Sequence, residues 1–495
     1  MDELVSRYSR RLPSRGRSFA IGLGLLAVLV LSASGVTSNF LFSSQTPFKW
    51  ILTIGAPLLV VGLFVVSEPT ILLMIVTILM SPFAPYVVSF GGVQVSLLFA
   101  LLSLTVISSL LEGTVRQVEK SKSKVARIAP WCTALLVVPV LQGNEHSYRF
   151  LYLLLFVTVI WLVRRTQELN PEARTYICLA VVGLGLTQSL IGIWEFLTNS
   201  TLNLYGGAGR PVFAGSGYFF LYLKAARTSG AYFDPISLGN ILVIAIPIAL
   251  YLFADKSLTR VWRAFCISSS LIMIIAIIIT LSRASWLGLV AALLVTTFLT
   301  KRQTRFVPIT IAGVLLAIVG MYAFAKYGVV VKERFSTILN PTAISATTRA
   351  GDILRENLWA NSWNAFLQHP ISGVGFGNIQ ALLQNIPKSG TFAHPTSIYL
   401  EYLSEAGVMG GFLLLLFVGS QVLDLITGRM RDVLFPVLAG VTVGMLVTWY
   451  TDITARYYAV AFVVAILAGL NSTSAEASPP ISVDQPGNIT ETSRR

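Results

Sequence analysis

A few arginines, one histidine and a group of aromatics supply most of the chemistry this sequence could perform. Arg283 in TLSRASWLG and Arg355 in RENLWANSWNAFLQHP carry guanidinium groups in a largely apolar chain, and Arg210 and Arg227 stand in a more polar stretch upstream. An arginine fork binds phosphate through two parallel hydrogen bonds and stays charged at any working pH, which suits a diphosphate better than a carboxylate. If a bond to that diphosphate breaks, several such groups stabilise charge developing on the leaving oxygen. His394, one of 3 histidines, sits in FAHPTSIYLEYLSEAG; its ordinary pKa suits a general base, and the position suits a turn-capping histidine equally. Glu401 and Glu405 follow at helical spacing and either line a polar cavity or pair with arginines, with Glu405 nearer the apolar region. Trp359 and Trp363 share a face with Phe366 that could stack on sugar rings or lie on a bilayer surface.

Other chemistries lack their residues. No His/Cys cluster, Asp-x-Asp pair or phosphate-cradling glycine loop ending in Gly-Lys-Ser/Thr occurs, so the sequence implies no metal site, no cofactor and no nucleotide-driven reaction. Cys132, Cys178 and Cys266 lie in or beside apolar runs without metal spacing and read as small buried hydrophobes.

The elements that must position these groups centre on residues 349–411. Helical periodicity runs over 353–368, His369-Pro370 stops it, and Gly373, Gly375 and Gly377 make a loop whose backbone can approach a ligand. After His394-Pro395 a second helix begins, with Ser397, Glu401, Ser404 and Glu405 on one side and Tyr399 near its start. Gly407, Gly410 and Gly411 then lead into an apolar run.

The rest of the chain is membrane-like. Of 495 residues 55% are hydrophobic and 12% charged, and the mean hydropathy is +0.74. Apolar runs long enough to cross a bilayer of about 30 Å recur near 19–36, 49–66, 70–88, 94–111, 129–141, 148–163, 175–197, 236–254, 264–281, 284–299, 306–325, 407–427, 434–450 and 457–470. The expected fold is an all-α integral membrane protein of about 12 to 14 transmembrane helices, the lower count if 129–141 and 148–163 form a re-entrant pair. Residues 1–18 form a basic cytoplasmic N-terminus, 19–470 the membrane domain and 471–495 a disordered cytoplasmic tail. Long extracytoplasmic loops are expected at about 198–234 and 326–398.

Charge supports this threading. The net charge of +14 follows from basic inner loops, including Lys120, Lys122 and Lys124, Arg164 and Arg165, Lys256 and Arg260, and Arg429 and Arg431. Several arginines instead fall on the outer side, where long translocated segments escape the rule. Arg283 has almost no loop around it, and a cation near hydrocarbon costs about 2.5 to 3.5 kcal/mol at mid-helix and less toward the interface. A cation held there needs a reason.

Four segments resemble the O-antigen ligase and Wzy-type polymerase superfamily: RTSGAYFDPISLGNIL, TLSRASWLG, RENLWANSWNAFLQHPISGVGFGN and HPTSIYLEYLSEAGVMGG, in that order across residues 227–411. The resemblance implies a GT-C-related membrane fold and a metal-independent, inverting glycosyltransferase at the outer face of the bacterial plasma (inner) membrane. Its donor would be an undecaprenyl-diphosphate-linked glycan, and its acceptor a sugar hydroxyl on a lipid or second glycan. Arg283 and Arg355 match family arginines and would bind the diphosphate with Arg210 and Arg227, while Trp359, Trp363, Glu401 and Tyr399 would contact glycan or acceptor. His394 would take the acceptor proton, with one departure. The family histidine stands closer to its aromatic-Leu pair than His394 does to Tyr399-Leu400, and Thr396 fills the usual place. Either a local bulge brings His394 to the same space, or the base role passes to Glu405 or is absent. Membrane lipid is the expected surrounding, a flippase or chain-length regulator of the same pathway a further partner, and nucleic acid none. The rival reading is a polytopic transporter of an anion or sugar, disfavoured by the absence of internal repeats and by polar residues gathered in outer loops.

Overall fold

A computed structural model describes residues 69–83, 87–90, 93–113, 146–170, 172–198, 221–222, 225–226, 228–232, 235–300, 346–384, 394–428, 434–450 and 458–473. The expected spans at 19–36, 49–66, 129–141 and 306–325, most of the loop expected at 198–234 with Arg210 and Arg227, and residues 326–345 and 385–393 of the second loop lie outside these residues.

The described architecture is predominantly helical. Helix α1 is Pro69–Met80, α2 Leu97–Gly113, α3 His146–Leu169, α4 Ala173–Thr198, α5 Pro235–Ala254, α6 Arg260–Ile279, α7 Arg283–Leu299, α8 Ala346–Gln368, α9 Asn378–Gln384, α10 Ile398–Gly428, α11 Phe435–Trp449 and α12 Tyr458–Thr473. Helices α4, α5 and α6 are long and apolar enough to cross a membrane. Large hydrophobic side chains remain exposed, among them Leu190 and Trp194 on α4 and Leu287, Val290, Leu294 and Phe298 on α7. Stripes of that kind are stable when lipid is the solvent.

Several boundaries differ from the sequence reading. The run expected as one span over 70–88 ends as a helix at Met80, because Ser81-Pro82 breaks it into a 3-10 turn. Strands β1 (Val87–Phe90) and β2 (Val93–Ser96) then pair antiparallel, Phe90 opposite Val93, with Gly91-Gly92 between them in sequence. A second small antiparallel pair joins β3 (Leu221–Tyr222) to β4 (Ala225–Ala226). Arg164 and Arg165 are not loop residues: α3 continues through them to Leu169, and Arg164 Nε pairs with Glu168 at 2.9 Å one turn on. The helix expected over 353–368 starts at Ala346, and α12 runs on to Thr473, past the expected start of the tail.

Helix α5 is the axis of the core. All but Ile236, Tyr251, Phe253 and Ala254 of its 20 residues are buried, and α4, α6, α7 and α11 pack around it. Small residues set the closest approaches, as expected where no apolar driving force favours helix over lipid. Gly239 of α5 lies directly under the Ser285 side chain of α7. Along the antiparallel seam of α7 and α11, Gly288 faces Thr448 and Gly444, while Gly440 faces Ala292 and Thr296. A β-carbon on Gly444 would stand 2.7 Å from the Gly288 carbonyl oxygen, whereas one on Gly419 of α10 would meet nothing within 4 Å. Replacing Gly444 by Leu is therefore expected to cost about 1 to 3 kcal/mol through overpacking and to lower the unfolding midpoint in detergent, while Gly419→Ala leaves it equal or higher. Tryptophan fluorescence during a thermal ramp measures both.

Candidate functional site

The quoted segments meet at one end of the bundle. Helices α6 and α7 reverse direction within Thr280, Leu281 and Ser282. Leu281 takes the left-handed conformation, φ 53°, and the turn is tied from both sides. Thr280 Oγ1 donates to the Ile277 carbonyl at 2.7 Å, Ser282 Oγ accepts from the Ser285 amide at 3.3 Å, and Trp286 Nε1 donates to the Ile277 carbonyl at 2.9 Å. Arg283 is thus the first residue of α7, partly exposed, beside amides that have no helical acceptor. That end of a helix disfavours a cation unless an anion joins it.

The α7/α11 seam places the start of α7 beside the end of α11. There the Tyr450 ring meets Trp359 of α8 edge-on, with centroids 5.5 Å apart. Trp359 Nε1 donates to Thr396 Oγ1 at 3.1 Å. Thr396 is itself left-handed, φ 53°, an uncommon state for a β-branched residue and one that costs of order 1 to 3 kcal/mol. This bend supplies a local kink between half-buried His394 and the start of α10. Tyr399 anchors that start by donating its hydroxyl to the Leu446 carbonyl at 3.0 Å. Arg355, partly exposed, precedes Trp359 by one turn on α8, and Trp363 is 46% exposed one turn beyond. Arg283, Arg355, His394, Trp359 and Tyr399 therefore belong to elements joined at one end. Glu401, 2% exposed, lies inside α10.

The glycine loop is locked to a break in α10. Gly407 has φ 63° and ψ −156°, a region open essentially to glycine alone. The break exchanges backbone partners. The Val408 amide turns from its helical acceptor, Ser404, to the Pro370 carbonyl at 2.7 Å; the freed Ser404 and Glu405 carbonyls accept from Val374 and Gly375, each at 2.9 Å. Glu405, fully buried, adds its carboxylate as acceptor for the Gly377 amide at 3.0 Å. A side chain on Gly373 would collide with the Glu405 and Ala406 backbone. Beside the loop a cavity of about 600 Å³ opens between His369, Ser372, Asn378 and Leu382.

One residue escaped the sequence reading. Glu195, 3% exposed on α4, accepts through Oε2 from the Ser229 and Gly230 amides, each at 3.0 Å. Two turns earlier Gln188 Oε1 accepts from the Ala231 amide at 2.8 Å, and Gly192 between them lets Thr228 approach. This face holds the loop directly after Arg227. A carboxylate within an apolar span was the available signal, since such a residue is a functional candidate by default.

Residues 268–415, under a third of the chain, match a family model described as O-Antigen ligase. No curated protein matches the chain at a significant level.

Removing either carboxylate strands buried amides, at a cost of about 1.5 to 3 kcal/mol for a bond to a charged group. Glu195→Ala should speed amide hydrogen exchange at 229–231 and Glu405→Ala at 374–378, each locally, while Glu195→Gln and Glu405→Gln, which keep an acceptor oxygen, remain near wild type. Exchange mass spectrometry on the purified full-length protein reads all four variants.

Proposed function

Taking as premise that residues 268–415 place this membrane protein in the O-antigen ligase superfamily, we propose that it transfers a glycan from an undecaprenyl-diphosphate-linked donor to a sugar hydroxyl, at the outer face of the bacterial plasma membrane. The observation that carries this reading is the joining of the element that begins with Arg283 to the Trp359, Thr396 and Tyr450 assembly that holds Arg355 and His394. The family match favours such an enzyme over an anion or sugar transporter.

In this reading Arg283, Arg355 and Arg227, with Arg210, neutralise the diphosphate. The acceptor oxygen attacks the anomeric carbon from the side opposite the diphosphate, so configuration inverts. The carbon–oxygen bond to the diphosphate breaks, and undecaprenyl diphosphate leaves with the bonding pair, its charge met by the guanidinium groups. His394 takes the acceptor proton. Guanidinium groups supply the positive charge that divalent metals give elsewhere, so no metal is required. Trp363 and the cavity by Ser372 and Asn378 offer stacking and hydrogen-bonding surfaces for glycan, with Glu401 behind them. Glu405 is occupied with the Gly377 amide and acts as a positioning residue rather than a base.

With purified protein, lipid-linked donor and acceptor glycan, Arg283→Ala and Arg355→Ala should each abolish transfer while expression and elution remain normal, and chelator should leave the wild-type rate unchanged. Substantial transfer by either arginine variant removes that residue from the diphosphate site. His394→Ala should lower the transfer rate by about 10²- to 10⁴-fold without weakening donor binding, while Glu405→Gln keeps most activity. An active His394→Ala variant would take the base role away from that residue.

A further inference from the structure

Helix α8 carries two unlike flanks on its exposed side. At about 100° per residue, Leu358, Ser362 and Ala365 form the buried face, and all three are buried. To one side run Arg355 and Glu356 in the first turn and then Trp359, Phe366, Trp363 and Leu367, apolar from Trp359 onward; to the other run Asn357, Asn361, Asn364 and Gln368, all exposed. The apolar flank does not fade at the end of the helix. Trp363 and Leu367 are 46% and 57% exposed, Ile371 one turn on is 73% exposed, and Leu382 of α9 adds a further exposed apolar side chain.

This edge is continuous with the exposed surface of α10, whose second half is the span expected from the sequence at 407–427. The Val408 amide binds the Pro370 carbonyl, and Gly407 has no room for a side chain because the Ile371 backbone lies against it. Beyond that junction Val408, Phe412 and Leu415 of α10 are exposed in turn, within an apolar run that continues to Val418. An apolar edge that runs from Trp363 through Leu367 and Ile371 to the exposed stripe of α10 fits lipid as its solvent.

We infer that α8 lies in the membrane–water interface of the bilayer that α10 enters, with Leu367 and Ile371 inserted among lipid acyl chains, Trp363 at headgroup level where glycan can reach its ring, and the asparagine flank in water. Tryptophan at the edge of such a helix and arginine reaching toward headgroups are the side chains that this interface selects. The arrangement holds Arg355, which shares the apolar flank, at the height of lipid phosphates. That deepens the proposed function, because a diphosphate on a lipid carrier is presented at this height; the placement of α8 itself does not depend on catalysis.

Nitroxide labels on the full chain in phospholipid nanodiscs test it. Cys132, Cys178 and Cys266 are replaced by alanine, and single cysteines are introduced as Leu367→Cys and Ile371→Cys, with Asn361→Cys and Asn364→Cys on the opposite flank and Leu415→Cys as a lipid reference. All five sites are exposed, so a label meets no packed core. Collision with oxygen, which partitions into lipid, should exceed collision with a water-soluble nickel chelate several-fold at 367, 371 and 415, and the ratio should reverse at 361 and 364. Nickel accessibility at 367 and 371 equal to that at 361 overturns the inference in favour of an aqueous helix. Poor access of both reagents at 367 and 371 overturns it in favour of protein cover. Neither readout uses transfer activity, so loss of the proposed reaction and loss of this placement are told apart.

Discussion

A backbone amide taken out of water must find an acceptor, and around the site that constraint is met by exchange between segments far apart in sequence. At the Gly407 break the loop over 370–377 accepts from the Val408 amide and donates to the Ser404 and Glu405 carbonyls. Neither segment could keep its shape alone. The helix would have an unfilled turn, and the glycine loop would have no fixed path. The same principle holds the loop after Arg227, where Glu195 and Gln188 accept three successive amides. The chemistry proposed for the arginines and His394 rests on these unreactive contacts.

Much of the frame was legible in the sequence because its signals are local. Apolar run length located α4, α5, α6, α7, α11 and α12 to within a few residues, and His369-Pro370 marked the end of α8. The near absence of a loop before Arg283 was equally plain. The 3-10 turn and hairpin within 81–96 were hidden because their residues are as apolar as a span, and only Pro82 and the paired glycines betray them. Arg164 and Arg165 resembled a basic loop because charge was weighed without Glu168, the partner one turn away.

The sequence singled out Arg283, Arg355, Trp359 and His394, whose elements the structure joins, but not the contacts that join them. Sequence spacing put Glu405 beside Glu401, either lining a polar cavity or pairing with arginines, and nothing local could reveal that its Oε1 accepts from the Gly377 amide. Thr396 looked like an occupant of the histidine's place, whereas its left-handed backbone and its bond to Trp359 make it the bend that follows His394. Tyr399 is likewise engaged with α11. Glu195 went unread because a lone carboxylate has meaning only once the loop it faces is known.

The three-residue reversal between α6 and α7 has a consequence for how the protein suits its membrane. With Leu281 bent and its neighbours tied to both helices, the connection holds no slack that could absorb a change in bilayer thickness. Mismatch between helix length and hydrocarbon depth must then be taken up by tilt or at the far ends of these helices, Arg260 and Leu299. The guanidinium of Arg283 then keeps its height relative to one leaflet only, while the opposite leaflet is where mismatch is taken up.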